Sequence, residues 1–391
     1  MQAKKIAIIS AAPIPNQVSV WRALAKQPGI HPKVFYASRN RMLPSDPMSA
    51  FSTTDNWDID LFSGYEYELL RNNPQPEINW RYRYSCSSIH YKLDEGDFDA
   101  LLMVGKEYVY YLQAFHTARR QKIPVLFMGD TPPQKKHLIE SVLAFAHRRA
   151  FYKRVAAFLI GGKDQYHYYS SYGIQRERMF WAPCCVDNDY FQSQANKHLP
   201  NKDAIRKKLG FPSTTKIIAF SGRFARIKRP MDLLHAFEQI ASKGDFGLLF
   251  VGDGELKASC ELFAKNARQK NTRFVGFKNM SELGEIYAAA DCLVLPSEHG
   301  ETWGLVLNEV MNFGLPVVAS DQVGAAQDLI LPDENGYIYP MGDIDALAHS
   351  ILRVFEDDQK AMGARSKEIV SEYSVETRVK GILRALEYVT A

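Results

Sequence analysis

Cysteine is scarce and unpatterned in this chain. The five residues Cys86, Cys184, Cys185, Cys260 and Cys292 make an odd number, and no CxxC pair occurs. Neither a zinc ribbon nor a secreted disulfide framework fits that spacing, so a reducing cytosol is the expected setting. Long apolar runs are missing as well. No uncharged stretch approaches the ~20 residues that span a bilayer. The start MQAKKIAIIS is basic and then apolar, as a signal peptide is, but its apolar part is short and meets Pro13 and Pro15. That pattern predicts a first buried strand. A Gly-x-Gly-x-x-Gly turn is absent after this strand, where the sequence reads IISAAPIP. Its absence argues against an NAD oxidoreductase. Short repeats and low-complexity tracts are also lacking.

The remaining composition is ordinary for a globular protein, with 391 residues, 46% hydrophobic and 24% charged. At roughly 100–200 residues per domain it predicts two to three domains. The net charge of +4 is unevenly spread: residues 1–195 carry 24 Lys+Arg against 18 Asp+Glu, and the remainder carries 24 against 26. Part of the first-half excess lies in QKKHLIESVLAFAHRRAFYKR (134–154). Basic and aromatic residues on one helix can dock on an anionic membrane or hold a phosphorylated acceptor. A solvated cationic face explains them equally well. The positive charge is not concentrated into an RNA-binding signature, so no nucleic-acid partner is expected.

Short apolar runs alternate with helical patterns through the first half. KKIAIIS (4–10), HPKVFYAS (31–38), FDALLMVG (98–105), IPVLFMGD (123–130) and VAAFLIGG (155–162) read as strands, and SVWRALAKQ (19–27) and YVYYLQAFHTARRQ (108–121) as helices. Residues 40–90 give no clear pattern. A stretch rich in Pro, Asn, Asp and Lys at 183–212 reads as a linker leading into a helix. A second series follows, with strands at 216–222, 246–254, 272–277, 291–297 and 315–320, and helices at 229–242 and 280–290. Strands separated by helical patterns of this length imply βαβ units and parallel sheets. Two α/β domains of similar size follow, at 1–195 and 196–374, with a closing helix in 375–391.

SEHGETWGLVLNEVMNFGLPVVASD (297–321) places Glu301 in a Gly-containing loop and Glu309 on the apolar helix that follows, expected from about Gly304 to Phe313. Gly314 stops that helix and Pro316 prevents its continuation. A helix start carries unpaired N–H groups and welcomes an anion. Glu309 shares a helix side with Leu305, Val306 and Phe313. A half-buried carboxylate needs donors, and two vicinal ribose hydroxyls would supply them; pairing with a basic residue would also satisfy it. FSGRFARIKRP (220–230) puts Arg223 and Lys228 in a loop at the carboxyl end of a strand, where open α/β sheets bind ligands. Two cations beside Gly222 suit a diphosphate. The cationic loop, the helix start and the carboxylate together describe a nucleoside diphosphate site.

These residues resemble the family 4 glycosyltransferases, retaining enzymes of the GT-B fold, in which two Rossmann-like domains face each other across a cleft. The family motif E-x-F/W-G-L-x-x-x-E followed by G-x-P-V-V appears as Glu301-Thr302-Trp303-Gly304-Leu305 to Glu309, then Gly314 to Pro316. Its G-R-x-x-x-x-K element appears as Gly222-Arg223 to Lys228. The likeness covers almost all of 216–345. The first half is similar in layout to a bacterial subgroup that modifies surface sugars.

The resemblance implies roles by position. Arg223 and Lys228 would grip the donor diphosphate and stabilise its charge as it leaves. Glu309 would bind the ribose. The N–H groups of Trp303 and Gly304, flanked by Thr302 and Leu305, would hold the distal phosphate. Glu301 would contact the transferred sugar, and the backbone from Val275 to Phe277 would frame the base. It further implies retention of configuration without a bound metal or other cofactor, and a final helix returning to the first domain.

Many members carry a Gly-Gly loop after the first strand. Here that loop is SAAPIPNQVS, so its donor-side role is not carried over. Acceptor-side candidates are Asn16, Gln17, His137 and Asp130, the last also a candidate for catalysis. Asp130 fits a turn cap as well, and His137 an ordinary surface histidine. The implied function is glycosyl transfer from a nucleotide sugar to a glycan, lipid-linked or small-molecule acceptor, in the cytoplasm or at the inner membrane face. Competing readings are a nucleotide-sugar epimerase, a phosphorylase of the same fold, or a non-catalytic sugar-nucleotide-binding protein.

Overall fold

A computed structural model describes residues 3–39, 57–75, 80–129 and 142–391. Two sheets organise the chain, and every pairing in them is parallel. The first contains β1 (Lys4–Ser10), β2 (Ile30–Tyr36), β3 (Glu66–Leu69), β4 (Ala100–Val104), β5 (Val125–Met128), β6 (Ala157–Ile160) and β7 (Met179–Trp181), in the order β3-β2-β1-β4-β5-β6-β7. The second contains β8 (Lys216–Ser221), β9 (Phe246–Val251), β10 (Thr272–Phe274), β11 (Cys292–Leu295), β12 (Val317–Ser320) and β13 (Gly336–Tyr339), in the order β10-β9-β8-β11-β12-β13.

Helices cover both faces of each sheet, which is why the strands are near-continuous apolar runs. Alternation divides each run between two cores. Ile6, Ile8, Leu102 and Leu126 face one, and Ala7, Ile9, Leu101 and Phe127 face the other. Ile217, Leu249 and Leu293 divide from Ile218, Leu248 and Val294 in the same way across the second sheet. Strand order reverses between β1 and β4, and again between β8 and β11. At such switch points the flanking loops diverge and leave a crevice at the carboxyl ends of the strands.

The stretch expected to be a linker is different. It holds a helix, Asn188–His198, whose Asp187 caps it by accepting from the Tyr190 N–H at 3.0 Å. Phe191 and Ala195 bury into a core of the second sheet, so apolar residues spaced four apart outweigh the polar composition around them. The boundary expected between 195 and 196 falls inside this helix. The first helix, Pro15–Ala25, also starts earlier than its apolar pattern suggests, because Pro15 supplies a φ suited to the first helical position.

The closing helix, Val375–Thr390, leaves the second sheet and packs on the first. Val379, Ile382, Ala385 and Leu386 join Trp21, Leu24 and Leu126 in one core. Its Gly381 lies so close to β7 that an added Cβ would sit 1.9 Å from the Trp181 carbonyl oxygen. Among the described residues no helix is long and apolar enough to cross a membrane.

Candidate functional site

Two loops at the switch point of the second sheet build the site. After β8 the chain runs through Gly222 and Arg223, is anchored by the buried Phe224, and turns over Arg226–Lys228 into the helix Pro230–Ile240. After β11 it runs through Ser297 to Glu301 and then into the short helix Val306–Met311. The Glu298 N–H donates to the Ile227 carbonyl at 2.8 Å, and Arg229 reaches Glu298 at 3.3 Å. The two loops therefore hold each other in place.

The helix is shorter than its expected span from Gly304 to Phe313. Gly304 stays outside it with φ +94°, a conformation suited to glycine. The N–H groups of Trp303, Gly304 and Leu305 donate to nothing among the described residues. They form a row of unused donors at the mouth of the loop.

Lys228 forms an ion pair with Glu301 Oε2, and the Ser297 hydroxyl donates to the same oxygen at 3.1 Å. Arg223, half-buried, has no ion pair among the described residues. Glu309 is half-buried and accepts from the Tyr287 hydroxyl at 2.6 Å, which lies 3.2 Å from the Ser221 hydroxyl. Burial pushes the Glu309 carboxyl up to about 7, opposed by the Tyr287 hydrogen bond and the Lys228 charge. The neighbour is thus a tyrosine, and no basic residue pairs with Glu309 among the described residues.

These groups open into a cavity of about 890 Å³ between the carboxyl ends of both sheets. Gly222, Arg223, Lys228, Phe277, Glu301, Thr302, Trp303, Gly304, Leu305 and Glu309 all line it, and Asn16 and Gln17 line the opposite side. Val275 does not line it. Its N–H donates to the Phe250 carbonyl at 3.0 Å, continuing the sheet. Asn16 and Gln17 sit in the first turn of Pro15–Ala25 and not in a loop, and Gln17 Oε1 accepts from the Ser10 hydroxyl at 3.1 Å. Asp130 and His137 lie outside the described residues.

Some of the site went unread in the sequence. Tyr287 and Ser221 support Glu309, yet Tyr287 is one aromatic in a helix pattern. A strap at 57–63 also reaches the cavity through Trp57, Ile59, Asp60 and Ser63. Asp58 accepts from the Ser281 N–H at 3.1 Å, and Arg22 Nη2 donates to the Asp60 carbonyl at 2.6 Å. Arg378 is another lining residue; a basic residue on the apolar side of VETRVKGILRALEYV was its available signal. Among the described residues, no group of three or more His, Cys, Asp or Glu side chains could hold a metal ion.

Residues 201–369 match the family model for glycosyl transferases group 1. The chain is 30% identical over 171 residues to the N-acetyl-alpha-D-glucosaminyl L-malate synthase of Bacillus anthracis, covering 43% of this chain and 44% of that protein. It is 30% identical over 263 residues to a D-inositol 3-phosphate glycosyltransferase of Xylanimonas cellulosilytica, covering 65% of this chain and 61% of that one. It thus spans about half the length of the curated relatives it matches. A crystal structure of Anabaena HepE in complex with UDP superposes with a TM-score of 0.72 at 16% identity, over 98% of this chain and 99% of that one. The lipopolysaccharide outer core galactosyltransferase WaaB in its apo form gives 0.70 at 17%, over 98% and 99%. At such identities these two show the fold. With two parallel sheets facing across a cleft, the chain has the GT-B fold, and its residues 201–369 are similar to the glycosyl transferases group 1.

Proposed function

We propose that this protein is a retaining glycosyltransferase. It moves a sugar from a nucleoside-diphosphate sugar to a glycan, lipid-linked or small-molecule acceptor, in surface polysaccharide or glycoconjugate synthesis. One observation carries the reading: a single cavity gathers the unpaired Arg223 guanidinium, the unused N–H groups of Trp303 and Gly304, and the Glu309 carboxyl. Diphosphate, distal phosphate and ribose have matching partners there. Small-molecule and lipid-borne acceptors also occur in the names of relatives, among them a mannosyltransferase of Corynebacterium glutamicum that is GDP-mannose-dependent and acts on a monoacylated phosphatidylinositol monomannoside.

In this mechanism the donor competes for Lys228. The diphosphate draws the ammonium away from Glu301, and the freed carboxylate accepts hydroxyls of the transferred sugar. As the sugar–phosphate bond breaks, charge grows on the departing oxygen beside Arg223 and Lys228. Those cations stabilise the transition state more than the bound donor, so they serve catalysis as well as binding. Retention follows from a front-face path, in which the leaving phosphate takes the proton of the attacking acceptor hydroxyl. The two cations and the backbone donors carry the leaving charge without a divalent ion. Asp130, together with Asn16, Gln17 and His137, remains the proposed acceptor-side set. The protein works in the cytoplasm, and 134–154 meets the inner membrane face when the acceptor is lipid-linked.

A thermal-shift screen with UDP, GDP and ADP tests the reading, followed by hydrolysis assays on the matching nucleotide sugars. Stabilisation by one diphosphate and slow hydrolysis of its sugar conjugate are expected. No stabilisation by any of them would remove the donor site.

A further inference from the structure

Arg378 is a cation in the wrong place for a structural helix residue. It lies on Val375–Thr390, is 6% exposed, and lines the cavity. Nη2 points at the sulfur of Met128, and Nε is buried with no hydrogen-bond partner. The other group against it is the Cys185 thiol, which burial holds above its ordinary range and therefore neutral. Asp187, also at the cavity, turns Oδ1 to the Tyr190 N–H. No carboxylate pairs with Arg378 among the described residues. A guanidinium keeps its charge at any physiological pH, and a buried charge without a counter-ion is unfavourable unless something supplies one.

We propose that Arg378 binds an oxyanion, the phosphate or carboxylate group of the acceptor, on the side of the cleft facing away from the donor clamp. Its contact with Met128 places it there, on the wall that the first sheet supplies. Met128, Gly129, Gly161, Ala182 and Cys184 follow or end β5, β6 and β7 of the first sheet, whereas Arg223 and Lys228 follow β8 of the second. The forked, planar guanidinium matches both candidate groups through paired hydrogen bonds. An anion there would neutralise the charge while leaving the Arg223 and Lys228 loop free for the donor. The anion site stands on this geometry alone; its assignment to the acceptor rests on the transferase reading.

The test uses the full chain with the donor clamp disabled by R223A and K228A. Inorganic phosphate and, separately, acetate are titrated against this protein and against the same protein carrying Arg378→Met. The parent is expected to bind at least one of them, and the added substitution to weaken that binding about tenfold or more. The tighter of the two names the group. Failure of the parent to bind either anion, or equal binding with and without Arg378→Met, would overturn the site. Should that variant not fold, wild-type crystals soaked in bromide decide the matter. An anomalous peak within hydrogen-bond reach of the Arg378 guanidinium supports it, and none there removes it. UDP and GDP titrated on the wild type test the transferase reading separately: no nucleotide binding would sink that reading and leave the anion result standing.

Discussion

A carboxyl that burial raises to about 7 is partly protonated at neutral pH, and Glu309 is such a group. In the proposed binding mode ribose hydroxyls donate to it, so binding would select the ionised form. Below pH 7 the protonated form dominates and affinity should fall, approaching about tenfold per pH unit; above 7 it should level off. Titration of a nucleotide sugar between pH 5.5 and 8.5 reads this directly, because its diphosphate does not titrate there. The slope should vanish in E309Q. Replacing Glu309 by Ala should weaken donor binding about 10- to 100-fold, from one or two lost charged hydrogen bonds, and harm turnover of saturating donor less. Unchanged donor affinity would remove the ribose assignment. Arg223→Ala and Lys228→Ala should instead lower turnover by about 10²–10³. If the cations carry the leaving charge, EDTA should leave wild-type activity intact; a strict metal requirement would refute that role.

At the level of elements, the loop before Val306–Met311 depends on one backbone conformation. A Cβ at Gly304 would lie 2.8 Å from Leu295 Cδ2 and 3.0 Å from Val323 Cγ1, at a φ of +94°. Gly304→Ala should cost about 1–3 kcal/mol of stability, measurable by denaturant unfolding, and should shift the unused N–H groups so that nucleotide binding weakens too. This glycine, like Arg223, Lys228, Glu301 and Glu309, was legible in the sequence because motif spacing records local geometry. The strands of both sheets were legible for a related reason: buried parallel strands need uninterrupted apolar runs. What escaped depends on contacts distant in sequence. Tyr287 meets Glu309 across 22 positions, and Asp58 meets Ser281 across 223. Helix Asn188–His198 hid because its buried side is narrow, with Phe191 and Ala195 surrounded by polar residues. Val275 lies outside the cavity lining, and strand continuation engages its N–H.

At the level of the whole molecule, the chain crosses between the sheets twice, and both crossings end in packed contacts. Asn188 Nδ2 donates to the Val370 carbonyl at 3.0 Å, tying the first crossing to the last. The Lys163 N–H donates to both Asp328 oxygens at 3.2 Å, and Asn308 Nδ2 to the Cys184 carbonyl at 3.4 Å. On the proposed transferase reading, the cleft that these contacts bridge tightens when a donor binds. Val375–Thr390 is held to the first sheet by an apolar core. Ile382 is fully buried there, so Ile382→Ala should cost about 2–5 kcal/mol. Its location predicts where the loss appears. Amide hydrogen exchange should accelerate in β5, β6 and β7, which the helix covers, and stay near wild type in β8, β9 and β11, whose cores lack it. Equal acceleration in both sheets would mean that the lobes unfold as one unit and that the closing helix is not a local clamp on the first.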